Sequence, residues 1–216
     1  MNIRLMIFDF DGTLADTRSL IVKSKQETMR RMGIKVLDVD TCAATIGLSA
    51  RDAFLLNYPE LSEMDIMKCV RIYRELFEEK KLSEPPELFS GVTETLNALK
   101  ERGILCTVAS SRHSESLKGF LKVMDIEKYF CYVLGSDDTE RLKPNPDPVL
   151  KTLEKLEISA EETLVVGDMP FDILMGKNAG TLAAGVTYGN SDTDSLHASG
   201  ADFVINTINE LLEIIS

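Results

Sequence analysis

Two aspartates, Asp9 and Asp11, directly follow a short apolar segment near the start of the chain. Because side chains alternate along an extended chain, both carboxylates point to the same side. One carboxylate can attack phosphorus and form an aspartyl-phosphate, which divides hydrolysis into two displacements. The other can protonate the leaving oxygen and then deprotonate the attacking water. Such a pair is also common in turns, so this chemistry needs further residues to support it.

Further polar residues lie where later apolar segments end. They are Ser110, Ser111 and Arg112 after one segment, Lys143 a few residues after the next, and Asp168 and Asp172 after another. In open parallel sheets, ligands bind just beyond the carboxyl ends of the strands. Acids, a hydroxyl group and a cation from separate segments would then share one edge of a sheet. The sequence therefore predicts one site at that edge.

Six short apolar runs predict the strands of that sheet. They are Leu5 to Phe8, Ile104 to Ala109, Cys131 to Leu134, Thr163 to Val166, Leu182 to Val186 and Phe203 to Ile205. Each run is continuous and bounded by polar or glycine residues, as is typical of buried parallel strands. Helical patterns separate most of them, and Gly103 ends one of these helices. This alternation predicts an α/β fold with a doubly wound parallel sheet.

The region from residue 16 to 85 interrupts the alternation. It contains helical stretches without a clear strand, and the adjacent Pro85 and Pro86 discourage continuation of the last helix. We therefore predict an α/β core domain formed by residues 1–15 and 86–216. Residues 16–85 are predicted to form a small all-helical cap domain inserted after the first strand.

The motifs in this order resemble those of a known superfamily. Asp-Phe-Asp-Gly-Thr-Leu, a serine after the second strand, Lys-Pro and Gly-Asp-x-x-x-Asp are similar to the four motifs of haloacid-dehalogenase-like hydrolases. The helical insert resembles the small cap of that superfamily. Within it, residues 143–148 and 185–189 resemble phosphoglycolate phosphatases and their pyrophosphatase relatives. The resemblance implies a Rossmann-like core, with Asp9 as the nucleophile and Asp11 as the general acid and base.

Residues at the same sheet edge are expected to hold the substrate. The residues expected to bind the phosphoryl group are Gly12, Thr13, Ser110, Ser111, Arg112 and Lys143. Gly12 allows close approach of the backbone, and Ser110 and Lys143 hold phosphoryl oxygens. Lys143 also shields the nucleophile from the substrate dianion.

Charge makes a metal ion necessary in this arrangement. Each like-charge pair at about 4 Å costs on the order of 4 kcal/mol at an effective dielectric near 20, and Lys143 alone cannot compensate. Oxygen ligands favour Mg²⁺ as the cofactor. We expect Asp9, the backbone carbonyl of Asp11 and Asp168 to bind it directly. Asp172 is expected to act through water or by orienting its neighbours.

The expected function is a Mg²⁺-dependent phosphatase acting on a small, phosphoglycolate-like metabolite. An inorganic pyrophosphatase and a sugar-phosphate mutase of the β-phosphoglucomutase type are alternatives, and a non-catalytic binding module is a weaker one. The mutase is disfavoured because residues 18–23 lack the Glu-Tyr-His-like stretch of those enzymes. Haloacid dehalogenases do not need a second carboxylate as an acid and base for phosphate, so the presence of Asp11 argues against that class. A binding module has no evident use for a nucleophile beside a general acid.

Composition limits the partners. With 24 basic and 35 acidic residues, the net charge is −11, which disfavours nucleic acids and anionic membranes as partners. The four cysteines show no close pairing and are expected to pack as small hydrophobic residues. The N-terminal apolar run is too short for a signal-peptide core, so we expect no such segment there. We expect a cytoplasmic monomer or weak homodimer that acts on a small phosphate ester or pyrophosphate.

Overall fold

The computed structural model describes residues 2–215, with the side chain of Leu82 left out. The predicted core ranges end at Met1 and Ser216, which lie outside the described residues. The main sheet consists of the strands β1 (Leu5–Phe8), β4 (Leu105–Ala109), β5 (Phe130–Leu134), β6 (Thr163–Gly167), β7 (Leu182–Val186) and β8 (Phe203–Ile205). These are the six strands that the apolar runs predict, with ends that differ by one residue at most.

The six strands are all parallel, in the order β5-β4-β1-β6-β7-β8. The helices around this sheet are α5 (Val92–Glu101), α6 (Ser114–Val123), α7 (Asp147–Leu156), α8 (Pro170–Asn178), α9 (Thr193–Ala198) and α10 (Leu211–Ile214). Short 3-10 turns lie at Glu127–Tyr129, Ala160–Glu162 and Ile208–Glu210. The predicted α/β fold with a doubly wound parallel sheet is confirmed.

Strand β1 lies at the centre of the sheet and is buried on both faces. Met6 and Phe8 belong to the large apolar cluster, whereas Leu5 and Ile7 belong to a second cluster with residues of α7 and α8. This division follows from the alternation of side chains along a strand. Helices on both faces thus fix the strand that carries Asp9 and Asp11 at its carboxyl end.

Four helices occupy the region between β1 and the resumed alternation. They are α1 (Arg18–Met32), α2 (Val39–Ala43), α3 (Ala50–Asn57) and α4 (Glu63–Ser83). Helix α1 packs against α2 and α4, and α3 packs against α4. Asp38, Ser49 and Ser62 accept hydrogen bonds from backbone N–H groups at the starts of α2, α3 and α4, as N-cap residues do.

Two short strands join this helical region to the rest of the chain. β2 (Ala15–Asp16) and β3 (Glu87–Leu88) pair in antiparallel fashion, so the chain enters and leaves the helical region at one place. The sequence gives no signal for these two-residue strands. That residues 16–85 form a separate cap domain remains a prediction, and one apolar cluster includes residues of both regions, such as Phe10 and Phe77.

Candidate active site

Asp9 lies directly beyond β1, and its backbone N–H donates to the carbonyl of Val166 in β6 at 2.8 Å. This bond fixes the start of the first motif between two central strands. Asp9 is 2% exposed and Asp11 is 9% exposed. Both line a cavity of about 920 Å³ that lies between the sheet edge and the helices α1, α3 and α4.

Lys143 joins two of the acids. Its Nζ donates to Oδ1 of Asp9 at 2.5 Å and to Oδ1 of Asp172 at 2.6 Å. Oδ2 of Asp172 accepts from the backbone N–H of Met169 at 3.0 Å, at the start of α8. Burial opposes the charged form of Lys143, but the two carboxylates raise its pKa above the ordinary value. Asp172 therefore orients the lysine, and the lysine stays charged.

The two oxygens of Asp9 have different surroundings. Oδ1 is held by Lys143, whereas Oδ2 is buried and accepts no hydrogen bond from any residue between 2 and 215. Burial raises the pKa of Asp9 well above its ordinary value, although Lys143 opposes this shift. A buried oxygen without a partner is costly unless it serves a ligand or a reaction.

Asp168 lies directly after β6 and is fully buried. Its Oδ1 accepts from Oγ1 of Thr13 at 3.2 Å, and its Oδ2 accepts from the backbone N–H and Nδ2 of Asn190, both at 2.8 Å. Burial and the neighbouring Asp172 raise the pKa of Asp168 to about 7, although the hydrogen bonds from Asn190 oppose the shift. Asp168 is thus rigidly oriented toward the first motif.

Gly12 allows this close approach. Its φ is +95°, in the region that favours glycine, and a Cβ at this position would lie 2.2 Å from Oδ2 of Asp168. Any other residue would therefore strain the backbone and displace the carboxylate. Gly12 and Thr13 lie beside Asp168, and the binding of phosphoryl oxygens by these two residues remains a prediction.

Three carboxylates form a cluster that could hold a metal ion. One oxygen from each of Asp9, Asp168 and Asp172 lies within 4.8 Å of the others, and all three residues are buried. Three buried carboxylate oxygens close together fit a hard divalent cation. Both oxygens of Asp172 already accept from Lys143 or Met169, which suits its predicted role of orienting its neighbours.

The side chain of Asp11 has different partners. It accepts from Oγ1 of Thr17 at 2.7 Å, and it accepts from Nε and Nη2 of Arg112 at 3.2 and 2.5 Å. Arg112 is predicted from the sequence to bind substrate, and the structure gives it this bidentate contact with Asp11 instead of an open position. Substrate binding by Arg112 remains a prediction.

The two serines after β4 also line the cavity. Oγ of Ser110 accepts from the backbone N–H of Arg112 at 3.2 Å. Oγ of Ser111 donates to the carbonyl of Gly47 at 2.5 Å and so links the sheet edge to the loop before α3. The structure therefore brings together every site residue that the sequence singles out, while their roles remain predictions.

Two residues of the site are not anticipated by the sequence reasoning. Thr17 contacts Asp11, and Asn190 contacts Asp168. Asn190 follows β7, so the expectation that strand ends supply the site could have identified it. Thr17 gives no comparable signal, because a threonine before a helix is common as an N-cap residue.

The fold and these site residues agree with what is found when the sequence is compared with protein families. Residues 6–186 match the family described as haloacid dehalogenase-like hydrolase. The chain belongs to this family, and it is a phosphatase.

Relatives and solved structures have similar descriptions. The chain is 38% identical over 211 residues to "Probable phosphatase IndB" of Dickeya dadantii, covering 96% of this chain and 91% of the relative. It is 31% identical over 216 residues to "Pyrophosphatase PpaX" of Bacillus mycoides, covering 100% and 98%. A crystal structure of "a predicted phosphatase from Clostridium acetobutylicum" superposes with a TM-score of 0.90 at 25% identity, covering 100% and 99%.

The family also indicates the kind of cofactor, and the helices can be checked for membrane-spanning length. Phosphatases of this family generally use a divalent metal, and the aspartate cluster offers a place for one. Among the described residues, no helix is long and apolar enough to cross a membrane.

Proposed function

We propose that this phosphatase is Mg²⁺-dependent and hydrolyses a small phosphorylated metabolite through an aspartyl-phosphate on Asp9. The observation that carries the proposal is the asymmetry of the Asp9 carboxylate. Lys143 holds Oδ1, while the buried Oδ2 has no hydrogen-bond partner among the described residues. A nucleophile needs one free oxygen in a fixed orientation, and this arrangement supplies it.

The first displacement forms the covalent intermediate. Oδ2 of Asp9 attacks phosphorus, and the bond from phosphorus to the leaving oxygen breaks. Asp11 gives its proton to that oxygen. The leaving group therefore departs with a hydroxyl group, as an alcohol or, from pyrophosphate, as protonated phosphate.

The second displacement restores the enzyme. A water molecule gives a proton to Asp11 as its oxygen bonds to phosphorus, and the bond from phosphorus to Asp9 breaks. Inorganic phosphate leaves, and Asp11 is again protonated. Thr17 and Arg112 hold the Asp11 carboxylate in place through both steps.

Other residues bind the transferred group. We assign the phosphoryl oxygens to Ser110, Lys143 and the backbone around Gly12 and Thr13. Lys143 is less than a tenth exposed, so its charge acts strongly on the phosphoryl group. This ammonium also reduces the repulsion between Asp9 and an incoming dianion.

The proposed metal site fits the residues present. Asp9, the backbone carbonyl of Asp11 and Asp168 would hold Mg²⁺, and Asp172 would act through Lys143. When bound, the cation offsets the charge of the carboxylates and the phosphoryl group. The support is the cluster of buried carboxylate oxygens from Asp9, Asp168 and Asp172, which are hard ligands of the kind that a divalent cation prefers.

The cavity supports a small substrate. Its volume of about 920 Å³ is within the range of sites for small molecules, and the helices α1, α3 and α4 cover the side away from the sheet. Small phosphate esters therefore fit better than phosphoproteins. 2-Phosphoglycolate is the first candidate, from the resemblance of residues 143–148 and 185–189.

A pyrophosphatase is the second candidate. Its support is the similarity over the whole chain to relatives described as pyrophosphatases. The same two displacements would apply, with inorganic phosphate as the leaving group.

The test measures phosphate release from 2-phosphoglycolate, pyrophosphate, β-glucose 1-phosphate and several sugar phosphates, with Mg²⁺ and with EDTA. Wild type is compared with Asp9→Asn, which keeps the shape of the side chain but removes the nucleophile. We expect Mg²⁺-dependent release that falls at least about 10³-fold in the variant. Near-normal turnover by Asp9→Asn would overturn the covalent mechanism, and interconversion of sugar phosphates without release would indicate a mutase.

A further inference from the structure

A buried lysine outside the catalytic motifs lines the same cavity. Lys25 lies in α1, on the helical side of the cavity, and is 4% exposed. Ionised lysine is rarely buried to this degree without a paired carboxylate, because removing the charge from water is costly. Lys25 therefore needs an explanation that the catalytic motifs do not provide.

The contacts of Lys25 leave its charge uncompensated. Its Nζ donates to the carbonyl of Cys42 at 3.0 Å and to Oγ1 of Thr45 at 2.7 Å. Neither acceptor is charged, and within residues 2–215 no carboxylate lies within ion-pair distance of Nζ. An ammonium group has three N–H donors, so these two contacts leave one for a ligand.

Two other buried cations at the site differ in this respect. Lys143 contacts the carboxylates of Asp9 and Asp172, and the side chain of Arg112, 8% exposed, contacts Asp11. Both charges are thus already paired with carboxylates of the site. Of these three cations, Lys25 alone has only neutral acceptors among the described residues.

The overall charge of the site points the same way. Asp11 carries the proton that it gives to the leaving oxygen, so the carboxylates of Asp9, Asp168 and Asp172 are already offset by Lys143, Arg112 and the divalent cation of the proposed function. The positive charge of Lys25 is additional to that balance. It is therefore available to a negative group that arrives with the substrate.

The position of Lys25 also indicates which end of the substrate it meets. Burial lowers the pKa of Lys25 to about 8, so the side chain stays mostly protonated at neutral pH. The phosphoryl group is proposed to bind at the sheet edge beside Asp9, and Lys25 lines the same cavity from α1, on the helical side. Lys25 therefore lies on the side that the leaving group occupies.

We propose that Lys25 binds a second anionic group on the leaving-group side of the substrate. The enzyme then prefers phosphates whose leaving group carries a carboxylate or another phosphate over phosphates with a neutral leaving group. This inference rests on the proposed function, because it assumes that the phosphoryl group binds at Asp9.

A purely structural role predicts a different outcome. Lys25 contacts the carbonyl of Cys42 near the end of α2, and a cation there stabilises a helix C-terminus. Loss of that contact would lower stability and reduce turnover of all substrates alike. The anion-binding role instead predicts a loss confined to substrates with an anionic leaving group.

The experiment uses two matched pairs of substrates. 2-Phosphoglycolate is compared with 2-hydroxyethyl phosphate, which replaces the carboxylate by a neutral alcohol, and pyrophosphate is compared with methyl phosphate. The pairs show separately whether a carboxylate or a phosphate is the preferred anion. Wild type, Lys25→Met and Lys68→Met are measured with Mg²⁺, where Lys68 is an exposed lysine of α4.

We expect wild type to favour one or both anionic substrates over their neutral partners. Lys25→Met should lower kcat/KM for the favoured anionic substrate about 10–100-fold, as expected for loss of a charge-assisted contact. Turnover of the neutral partner should change less than about threefold, and Lys68→Met should resemble wild type. Equal losses for both members of a pair, or no anionic preference in wild type, would overturn the proposal.

A binding measurement separates this proposal from the proposed function. Isothermal titration of Asp9→Asn with 2-phosphoglycolate and pyrophosphate measures affinity without turnover, and Asp9→Asn/Lys25→Met is measured beside it. Weaker binding in the double variant supports the role of Lys25 even if no compound is hydrolysed. Unchanged affinity for both anions would overturn it. Lys25→Gln, with thermal melting of each protein, replaces Lys25→Met if that variant does not fold.

Discussion

Arg112 holds the carboxylate of Asp11 through two hydrogen bonds, from Nε to Oδ2 at 3.2 Å and from Nη2 to Oδ1 at 2.5 Å. The guanidinium carbon of Arg112 also lies 4.4 Å from the centre of the Phe77 ring and 4.9 Å from that of Phe120. Phe77 belongs to α4 and Phe120 to α6. The side chain of Arg112 thus connects Asp11, the proposed general acid and base, to the helices α4 and α6.

Arg112→Lys should lower kcat by about 10–100-fold with a smaller effect on KM. Lysine keeps the positive charge but lacks the planar fork that holds both oxygens of Asp11, and a displacement of about 1 Å can cost on the order of 10²-fold. Steady-state kinetics with the best substrate of the panel measure both parameters.

The control for this variant is Arg71→Lys. Arg71 lies on the exposed face of α4 and pairs with Glu75 at 3.0 Å, so its replacement should leave kcat unchanged. If Arg112→Lys raised KM strongly and left kcat unchanged, Arg112 would be a substrate ligand, as the sequence reasoning expects, and not a positioning residue for Asp11.

Gly167→Ala should disturb the contact between Asp172 and Lys143. A Cβ on Gly167 would lie 2.1 Å from Cβ of Asp172, so the carboxylate must move away from Nζ of Lys143. We expect an overpacking cost of about 1–3 kcal/mol in the free energy of unfolding. We also expect kcat to fall at least about tenfold, because Lys143 loses the residue that orients it. Urea unfolding and kinetics measure the two effects.

Gly119→Ala is the matched control for that substitution. Gly119 lies within α6, and a Cβ there meets no atom within 4 Å. Alanine should stabilise the protein by about 0.5–1 kcal/mol, since it restricts the unfolded chain. Equal kinetics in the two alanine variants would contradict the role given to Asp172.

The strands could be predicted from the sequence because buried parallel strands are continuous apolar runs. Leu5–Phe8, Leu182–Val186 and Phe203–Ile205 have the observed ends. The carboxyl-end rule then places Asp9 and Asp168 together, although 158 residues separate them. Local patterns and one general rule of topology are enough for this part of the molecule.

The partners of each side chain could not be predicted in the same way. The pairing of Arg112 with Asp11 depends on the aromatic surroundings of the guanidinium, which come from distant segments such as α4 and α6. Lys25 did leave a signal, because it lies four residues after Ile21 and four before Met29 on the buried face of α1. A lysine at an apolar position of a helix indicates either a long side chain that reaches the surface or a binding role.

The pH dependence of stability should differ between wild type and Asp168→Asn when EDTA removes metal. The pKa of Asp168 is about 7 in the folded protein and about 3.9 in an unfolded chain. The folded state therefore holds this proton more tightly, and ionisation of Asp168 destabilises it. This loss of stability begins as the pH rises above about 3.9 and is complete above about 7.

Asparagine at position 168 has no charge to bury, so the variant should be the more stable protein at pH 8. We expect a difference on the order of 1–4 kcal/mol in the free energy of unfolding, which shrinks as the pH falls toward 4.5. Urea unfolding at several pH values measures it. Asp194→Asn, at an exposed position of α9, should change stability by less than about 0.5 kcal/mol at either pH.

Mg²⁺ should offset the greater stability of Asp168→Asn at pH 8. A ligand that binds only the folded protein stabilises it by about 2.7 kcal/mol at a concentration of 100 Kd. Wild type should gain this stabilisation if, as we propose, the carboxylates of Asp9 and Asp168 bind the cation. Asp168→Asn should gain much less, since an amide oxygen is a weaker ligand for a hard cation. Melting curves at increasing Mg²⁺ concentration measure the shift in Tm, and equal shifts in the two proteins would show that Asp168 does not hold the metal.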